Sequence, residues 1–384
     1  MEVLYLTSTL SLILNKTMSL PNNSFVHSFP AIRGVQAGKE YYVSMWPLGL
    51  AVKLLNGEGE DIPPELNAQR MLNKSRVPEI AKYILKNRSS YGFSSLTVSI
   101  DGKIEFSSFS EDGIGNSLGS VHIPMDSKFI INDGQHRRAA IEKALEESPD
   151  LVHETISVVI FVDEGLKRSQ QLFADLNRYA VRPTRSLNIL YDHRNQASRL
   201  AKEVSEKVYV FQGMTETART TISNRSRKLF TLSGIYQSTI RLLEKNKDSK
   251  ISKAEEALAV KFWNEVAENI PEWKLAKKGE ISSHELRNDF IHAHGIALQA
   301  ISNCGVELLK QDTKAWKASL KKLRKIDWRR NNANTWEGRA LVGGRVSKST
   351  NNVTLSSNVL KKVLGLPLTE TEEKTETLFQ KGKL

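Results

Sequence analysis

A single cysteine, Cys304, stands in 384 residues. No intramolecular disulfide can form, and thiolates cannot build a zinc cluster. A reducing cytoplasm is the expected compartment. Sustained internal repeats are absent, and so are low-complexity tracts apart from a polar tail after Leu368. The apolar opening, Met1 to Leu14, is too short for a membrane span. It carries Glu2 and lacks both a basic leader and a small-residue cleavage site before Asn15 and Lys16. Residues 1–24 therefore read as a disordered leader, and Met18 is an alternative start to Met1. Acid is also in short supply: 43 Asp and Glu face 55 Lys and Arg, a formal net charge of +12. Such an excess favours a polyanionic partner, nucleic acid before an anionic membrane surface.

The remaining composition, 40% hydrophobic and 26% charged, is that of a globular protein long enough for two domains. Phe25 to Tyr42 reads as strand, with Gly34 and Gly38 as turn points. The stretch Gly34 to Glu40 is one residue short of a P-loop and has no Ser or Thr after Lys39. Asn56 to Pro64 reads as an exposed loop. Arg76 to Lys86 places Val77, Ile80, Ala81, Ile84 and Leu85 at helical spacing. Leu96–Ile100 and Lys103–Phe106 flank Asp101-Gly102, a hairpin signal. Phe129–Asn132 and Ile156–Val162 supply two more strands, so residues 25–200 form an α/β domain. Residues 201–368 turn helical. Lys228–Lys245 carries Leu229, Leu232, Tyr236, Thr239 and Leu243 on one face, and His284–Lys310 carries Leu286, Phe290, Ala297, Ile301, Cys304 and Leu308. Residues 369–384 read as a polar, frayed tail.

The chemistry concentrates at Phe129 to Leu145. A strand gives way to Asn132, Asp133 and Gly134, and an amphipathic helix begins at once. A helix start of this kind favours an anion. Gly134 allows close backbone approach, and Arg137, one turn in, can clamp phosphate oxygens. The plainer reading is that Asn132 or Asp133 caps the helix. His292 and His294 are two apart and cannot chelate together on a helix, so a metal site with His284 and Asp289 is not expected. Lys314 to Arg345 holds ten Lys or Arg against Asp327 and Glu337. There Trp316, Leu320 and Leu323 form an apolar stripe, leaving Lys314, Lys317, Lys321, Lys322 and Lys325 outward. Arg329, Arg330 and Asn331 follow in a loop between Trp328 and Trp336. Such forks and amides can contact phosphates or base edges, and the tryptophans either stack on unpaired bases or anchor the loop. Arg225 and Arg227, within Arg219–Lys228, form a second basic candidate.

The pentapeptide Asp133-Gly134-Gln135-His136-Arg137 resembles the signature of DGQHR-domain proteins. The wider text is similar to the DndB family of bacterial DNA phosphorothioation systems. That likeness includes Pro64 to Arg70, Phe173 to Asn177, Ser186 to Asp192 and the stretch around Trp328 and Trp336. It runs from about residue 30 to about residue 366. The resemblance implies a ParB/sulfiredoxin-like domain in the first half, followed by a mainly helical basic domain. ParB proteins pair a Gly-x-x-Arg turn with a later Asn-x-Gln-Arg box. Here Gly134 to Arg137 matches the turn, and Asp175-Leu176-Asn177-Arg178 stands at the second box. Asp175 in place of asparagine makes a direct phosphate contact doubtful there, though a carboxylate could hold Mg²⁺. The implied phosphate site is thus Asp133, Gly134, Gln135, His136, Arg137, Asp175, Asn177 and Arg178, with ATP or CTP and Mg²⁺ as its candidate occupants.

Sulfiredoxins carry a nucleophilic cysteine where this chain has Gln135, so thiolate chemistry is not expected. The resemblance implies a cytoplasmic DNA-binding repressor acting at the promoter of the modification operon. Other phosphorothioation proteins and a second copy of the chain are further candidate partners, and a membrane is not. The alternatives are an NTPase in modification or restriction, with His136 as acid or base, and a scaffold for the modification proteins. No HNH motif or two-metal carboxylate cluster marks a nuclease.

Overall fold

The computed structural model describes residues 25–56, 75–162, 171, 175–176 and 183–383. The leader, Pro64 to Arg70, all of the 56–64 loop but Asn56, and Phe173, Ala174, Asn177 and Arg178 lie outside them. The chain divides into two compact units, Met1–Val181 and Arg182–Leu384.

The first unit is α/β, built on a mixed sheet of seven strands: β1 (Val26–Gln36), β2 (Lys39–Pro47), β3 (Leu96–Asp101), β4 (Glu105–Ser108), β5 (Leu118–Pro124), β6 (Lys128–Asp133) and β7 (Thr155–Val162). Their order is β4-β5-β1-β2-β7-β3-β6, antiparallel except where β3 runs parallel to β7. β1 and β2 form a hairpin that turns at Ala37-Gly38, both with positive φ, as a two-residue hairpin loop requires. Gly34 is not a turn point. It lies inside β1, where a Cβ would stand 2.6 Å from the Tyr41 ring.

β3 is the hub of the sheet. Leu96 through Ile100 are all buried, and both strand edges are used, by β7 and by β6. The hairpin expected at Asp101-Gly102 therefore does not form. With no edge left on β3, the chain crosses the sheet and β4 pairs with β5. Trp46, wholly buried, stacks on Phe29 at 4.7 Å and meets the edge of Phe129. Helices α1 (Leu48–Leu54), α2 (Arg76–Lys86) and α3 (Gln135–Glu147) pack together, burying Ala51, Ala81, Ile84, Ala140, Ile141 and Ala144.

The second unit is helical: α4 (Arg185–Tyr191), α5 (Gln196–Lys207), α6 (Leu232–Leu242), α7 (Lys253–Glu268), α8 (Pro271–Lys278), α9 (Ser283–Asp289), α10 (Gly295–Leu308), α11 (Thr313–Leu320), α12 (Thr350–Leu364) and α13 (Glu370–Gln380). α10 is apolar nearly all round and is packed by α6 and α12. Gly305 permits the close approach: a Cβ there would lie 2.3 Å from Leu242 and 2.7 Å from Phe262. Cys304 is buried in the same helix, and burial pushes its thiol far above the ordinary range.

The helix expected over His284–Lys310 is broken in two. Phe290 becomes extended and bridges Arg329, while Ile291 N–H bonds the Trp328 carbonyl. The expected helix over Lys228–Lys245 likewise begins only at Leu232, capped by Thr231.

The polar end is not frayed. Thr369 and Glu372 form a capping box that starts α13. Glu376, buried on its inner face, pairs bidentately with Arg339 and also takes bonds from Lys362 and Asn358. Periodicity missed this helix because its docking face is held by charge rather than by an apolar stripe. Glu376→Ala leaves the Arg339 guanidinium, 12% exposed, without its carboxylate. It should destabilise the second unit by about 3–5 kcal/mol, read as a lower urea midpoint; an unchanged midpoint would show that the helix is only laid on the surface.

Candidate phosphate turn and basic surface

β6 delivers Asp133 to the end of the sheet, opposite Thr97 of β3. The next residue, Gly134, occupies the N-cap position of α3 with φ +105°, and no side chain caps the helix. Neither Asn132 nor Asp133 acts as the cap. Asn132 is wholly buried and donates from Nδ2 to Ser99 Oγ at 2.6 Å. Glycine is required at 134 on two grounds: the positive φ, and Leu96 Cδ2 standing 2.5 Å from where a Cβ would be. The first turn of α3 thus keeps the geometry of an anion cradle.

The side chains around it are already engaged. Arg137 Nη2 donates to Asp133 Oδ2 at 2.8 Å and to the Ser95 carbonyl at 3.0 Å. Its Nε is buried without a partner. The guanidinium therefore ties the helix start to the entrance of β3, and the Asp133 carboxylate occupies part of the charge a phosphate would use. Gln135 makes a long 3.4 Å bond to the Ile131 carbonyl. His136 has its pKa lowered, first by burial and then by the charges of Arg76 and Arg137, so its imidazole is neutral at pH 7. Of the second box, Asp175 accepts from Gln171 Nε2 at 2.7 Å. Its companions Asn177 and Arg178 lie outside the described residues. Ser95, Ser99 and Arg76 belong to the surroundings of the turn, and sequence gave no signal for them because all three come from distant segments.

The basic stretch is less open than its pattern suggested. Trp316, Trp328 and Trp336 are buried, and the last two stack on each other at 5.5 Å. They anchor the loop, with Trp336 Nε1 donating to the Asp327 carbonyl at 2.8 Å. Lys322, expected outward, turns in and donates to the Leu364 carbonyl, closing the end of α12. Arg330 is half-buried and bonds the carbonyls of Gly344 and Arg287 instead of projecting a free fork. Lys317 pairs with Glu265 at 2.7 Å, and Arg329 chelates Asp327 through Nε and Nη2. Lys321, Lys325, Asn331, Arg225 and Arg227 are exposed.

His292 and His294 are held inside the second unit. His292, wholly buried, accepts from Trp273 Nε1 and lies against Phe290 and Trp328. His294 donates from Nε2 to the Arg287 carbonyl at 2.7 Å. Among the described residues no three His, Cys, Asp or Glu side chains gather as a metal site.

Two expectations follow. Gly134→Ala should cost about 1–3 kcal/mol through the left-handed backbone and the Leu96 contact; a urea midpoint equal to wild type would remove both arguments. The second concerns pH. Burial pushes His292 down to about 3 and His294 to about 4. The Glu272 carboxylate, 3.6 Å from His292 Nε2, pulls the other way but is too far to hydrogen-bond. A depressed folded-state pKa means the unfolded chain takes up the proton first. Stability is therefore full above about pH 6.5 and falls as pH drops toward 4 and then 3. His292 alone should cost about 2 kcal/mol at about pH 5. Equal urea midpoints at pH 7.5 and 5 would contradict buried neutral imidazoles.

No curated protein and no solved structure matches the chain significantly. A comparison with protein families matches residues 29–367, most of the chain, to the family described as DndB, DNA-sulfur modification-associated. The glycine turn and most of both units lie inside that span, and this chain belongs to the DndB family of DNA-sulfur-modification-associated proteins.

Proposed function

We propose that the chain is a DNA-binding repressor of the operon encoding the phosphorothioation enzymes, with the turn at Gly134 holding a nucleotide that adjusts its affinity for DNA. Family membership over residues 29–367 is the observation that carries this reading. Supporting it are the net charge of +12 and the exposed cations Lys321, Lys325, Arg225 and Arg227. The first unit is proposed to be ParB/sulfiredoxin-like, with Asp133 to Arg137 and the Asp175 to Arg178 box handling phosphate. In that case the Arg137–Asp133 pair must open, or the Asp133 carboxylate must share Mg²⁺ with the nucleotide.

The exposed cations contact phosphate and position the protein, while Asn331 and the Arg329 fork, once released from Asp327, are the candidates for base edges. Among the described residues no helix is long and apolar enough to cross a membrane. An NTPase is the second reading, favoured by the neutral imidazole of His136 at the turn. It predicts ATP or CTP turnover that is lost in His136→Asn.

A repressor neutralising roughly six phosphates should lose about a thousandfold in affinity between about 50 and 200 mM salt. Arg225→Ala with Arg227→Ala, and Lys321→Ala with Lys325→Ala, should each make that slope shallower by about two phosphates. Gel shifts on the operon promoter and on a scrambled duplex measure this. A salt-insensitive complex, or slopes unmoved in both double variants, would place the DNA surface elsewhere.

A further inference from the structure

The second unit holds a cavity of about 360 Å³ whose wall carries three cations, Arg287, Arg330 and Lys348, and no carboxylate. Several buried or half-buried cations elsewhere in this unit have acids: Lys317 has Glu265, Lys361 has Glu372, and Arg339 has Glu376. These three do not. Arg287 is buried, and its guanidinium bonds only the carbonyls of Lys228, Ser223, Asn224 and Ser226. Arg330 bonds the carbonyls of Arg287 and Gly344, and Asp289 offers it only a backbone oxygen. Lys348 makes no hydrogen bond or ion pair among the described residues. Its Nζ lies over the start of α10, 2.9 Å from where a Cβ on Gly295 would stand.

Carbonyl dipoles satisfy the donors of Arg287 and Arg330 but do not cancel their charge. Three like charges around one concavity, at the positive end of a helix, repel one another unless an anion enters. The same field is felt by His294 on the wall. Its pKa is lowered first by burial and further by Arg330, Lys348 and Arg287.

We propose that this cavity binds the phosphate group of a nucleotide. Guanidinium forks match phosphate oxygens, and the hydroxyls of Thr220 and Thr221 on the wall add donors. The volume lies within the range of about 300–1,000 Å³ usual for small-molecule sites, larger than a bare phosphate needs. The nucleotide is either free or part of a DNA strand. The site lies entirely in the second unit, involves none of the residues of the Gly134 turn, and does not depend on the repressor reading.

The test is calorimetric titration of the full chain with inorganic phosphate, AMP and succinate. It is run on the wild type and in the Arg137→Ala background, so that binding at the turn is not counted. Phosphate and AMP should bind in both, and succinate should not. Lys348→Ala should weaken them at least tenfold in both backgrounds, and Lys348→Arg should restore them. Because Lys348 has no partner among the described residues, the circular dichroism and melting temperature of Lys348→Ala should not fall. Promoter duplex separates the two sources: an unchanged duplex affinity in Lys348→Ala points to a free nucleotide, and a parallel loss points to a DNA phosphate. The proposal is overturned if neither phosphate nor AMP binds in the Arg137→Ala background, if binding survives Lys348→Ala, or if succinate binds as well as phosphate.

Discussion

The first unit depends on one strand. β3 is buried along Leu96–Ile100 and bonded along both edges, so everything attached to it is held in register. Its entrance supplies the Ser95 carbonyl that receives Arg137 and the Leu96 side chain that crowds any Cβ at 134. Ser99, further along, fixes Asn132. The glycine turn is therefore built rather than merely permitted. A central strand in the low-dielectric interior holds the backbone N–H groups of α3 in one orientation, as an anion site needs. The Asp133–Arg137 pair already offsets charge at the turn, so a phosphate there, as proposed, would have to displace or recruit that carboxylate.

In the second unit the organising constraint is the buried helix α10. Its small residue Gly305 lets α6 and α7 side chains close on it. Aromatic rings from Phe211 to Trp336 then fill the remaining space. Charge is handled in two ways there. Some cations are matched by carboxylates, and the Glu376 cluster docks a polar helix. Arg287, Arg330 and Lys348 instead converge without a counter-charge.

Much of this was legible in the residues. The β6–turn–α3 unit could be read because an apolar run, a glycine and an amphipathic pattern follow one another without interruption. What could not be read came from tertiary competition. Asp101-Gly102 has hairpin chemistry, but β3 has no free edge to offer β4. His284 to Lys310 has a continuous apolar stripe, but the Phe290–Arg329 bridge and the Ile291–Trp328 bond break the helix. Lys322 and Arg330 look like surface cations because their acceptors are backbone carbonyls of Leu364, Gly344 and Arg287, which sequence does not reveal. The convergence of Arg287, Arg330 and Lys348 was invisible for the same reason: no local pattern joins them.

Family membership ties this architecture to DNA sulfur modification, and repression is the step the account adds. Its most direct test is transcription itself. A reporter fused to the promoter of the phosphorothioation operon would be measured in cells with and without this chain. Its level is set against an unrelated promoter in the same cells. The account predicts a several-fold drop confined to the operon promoter when the chain is present. Equal reporter output in its presence and absence would contradict it.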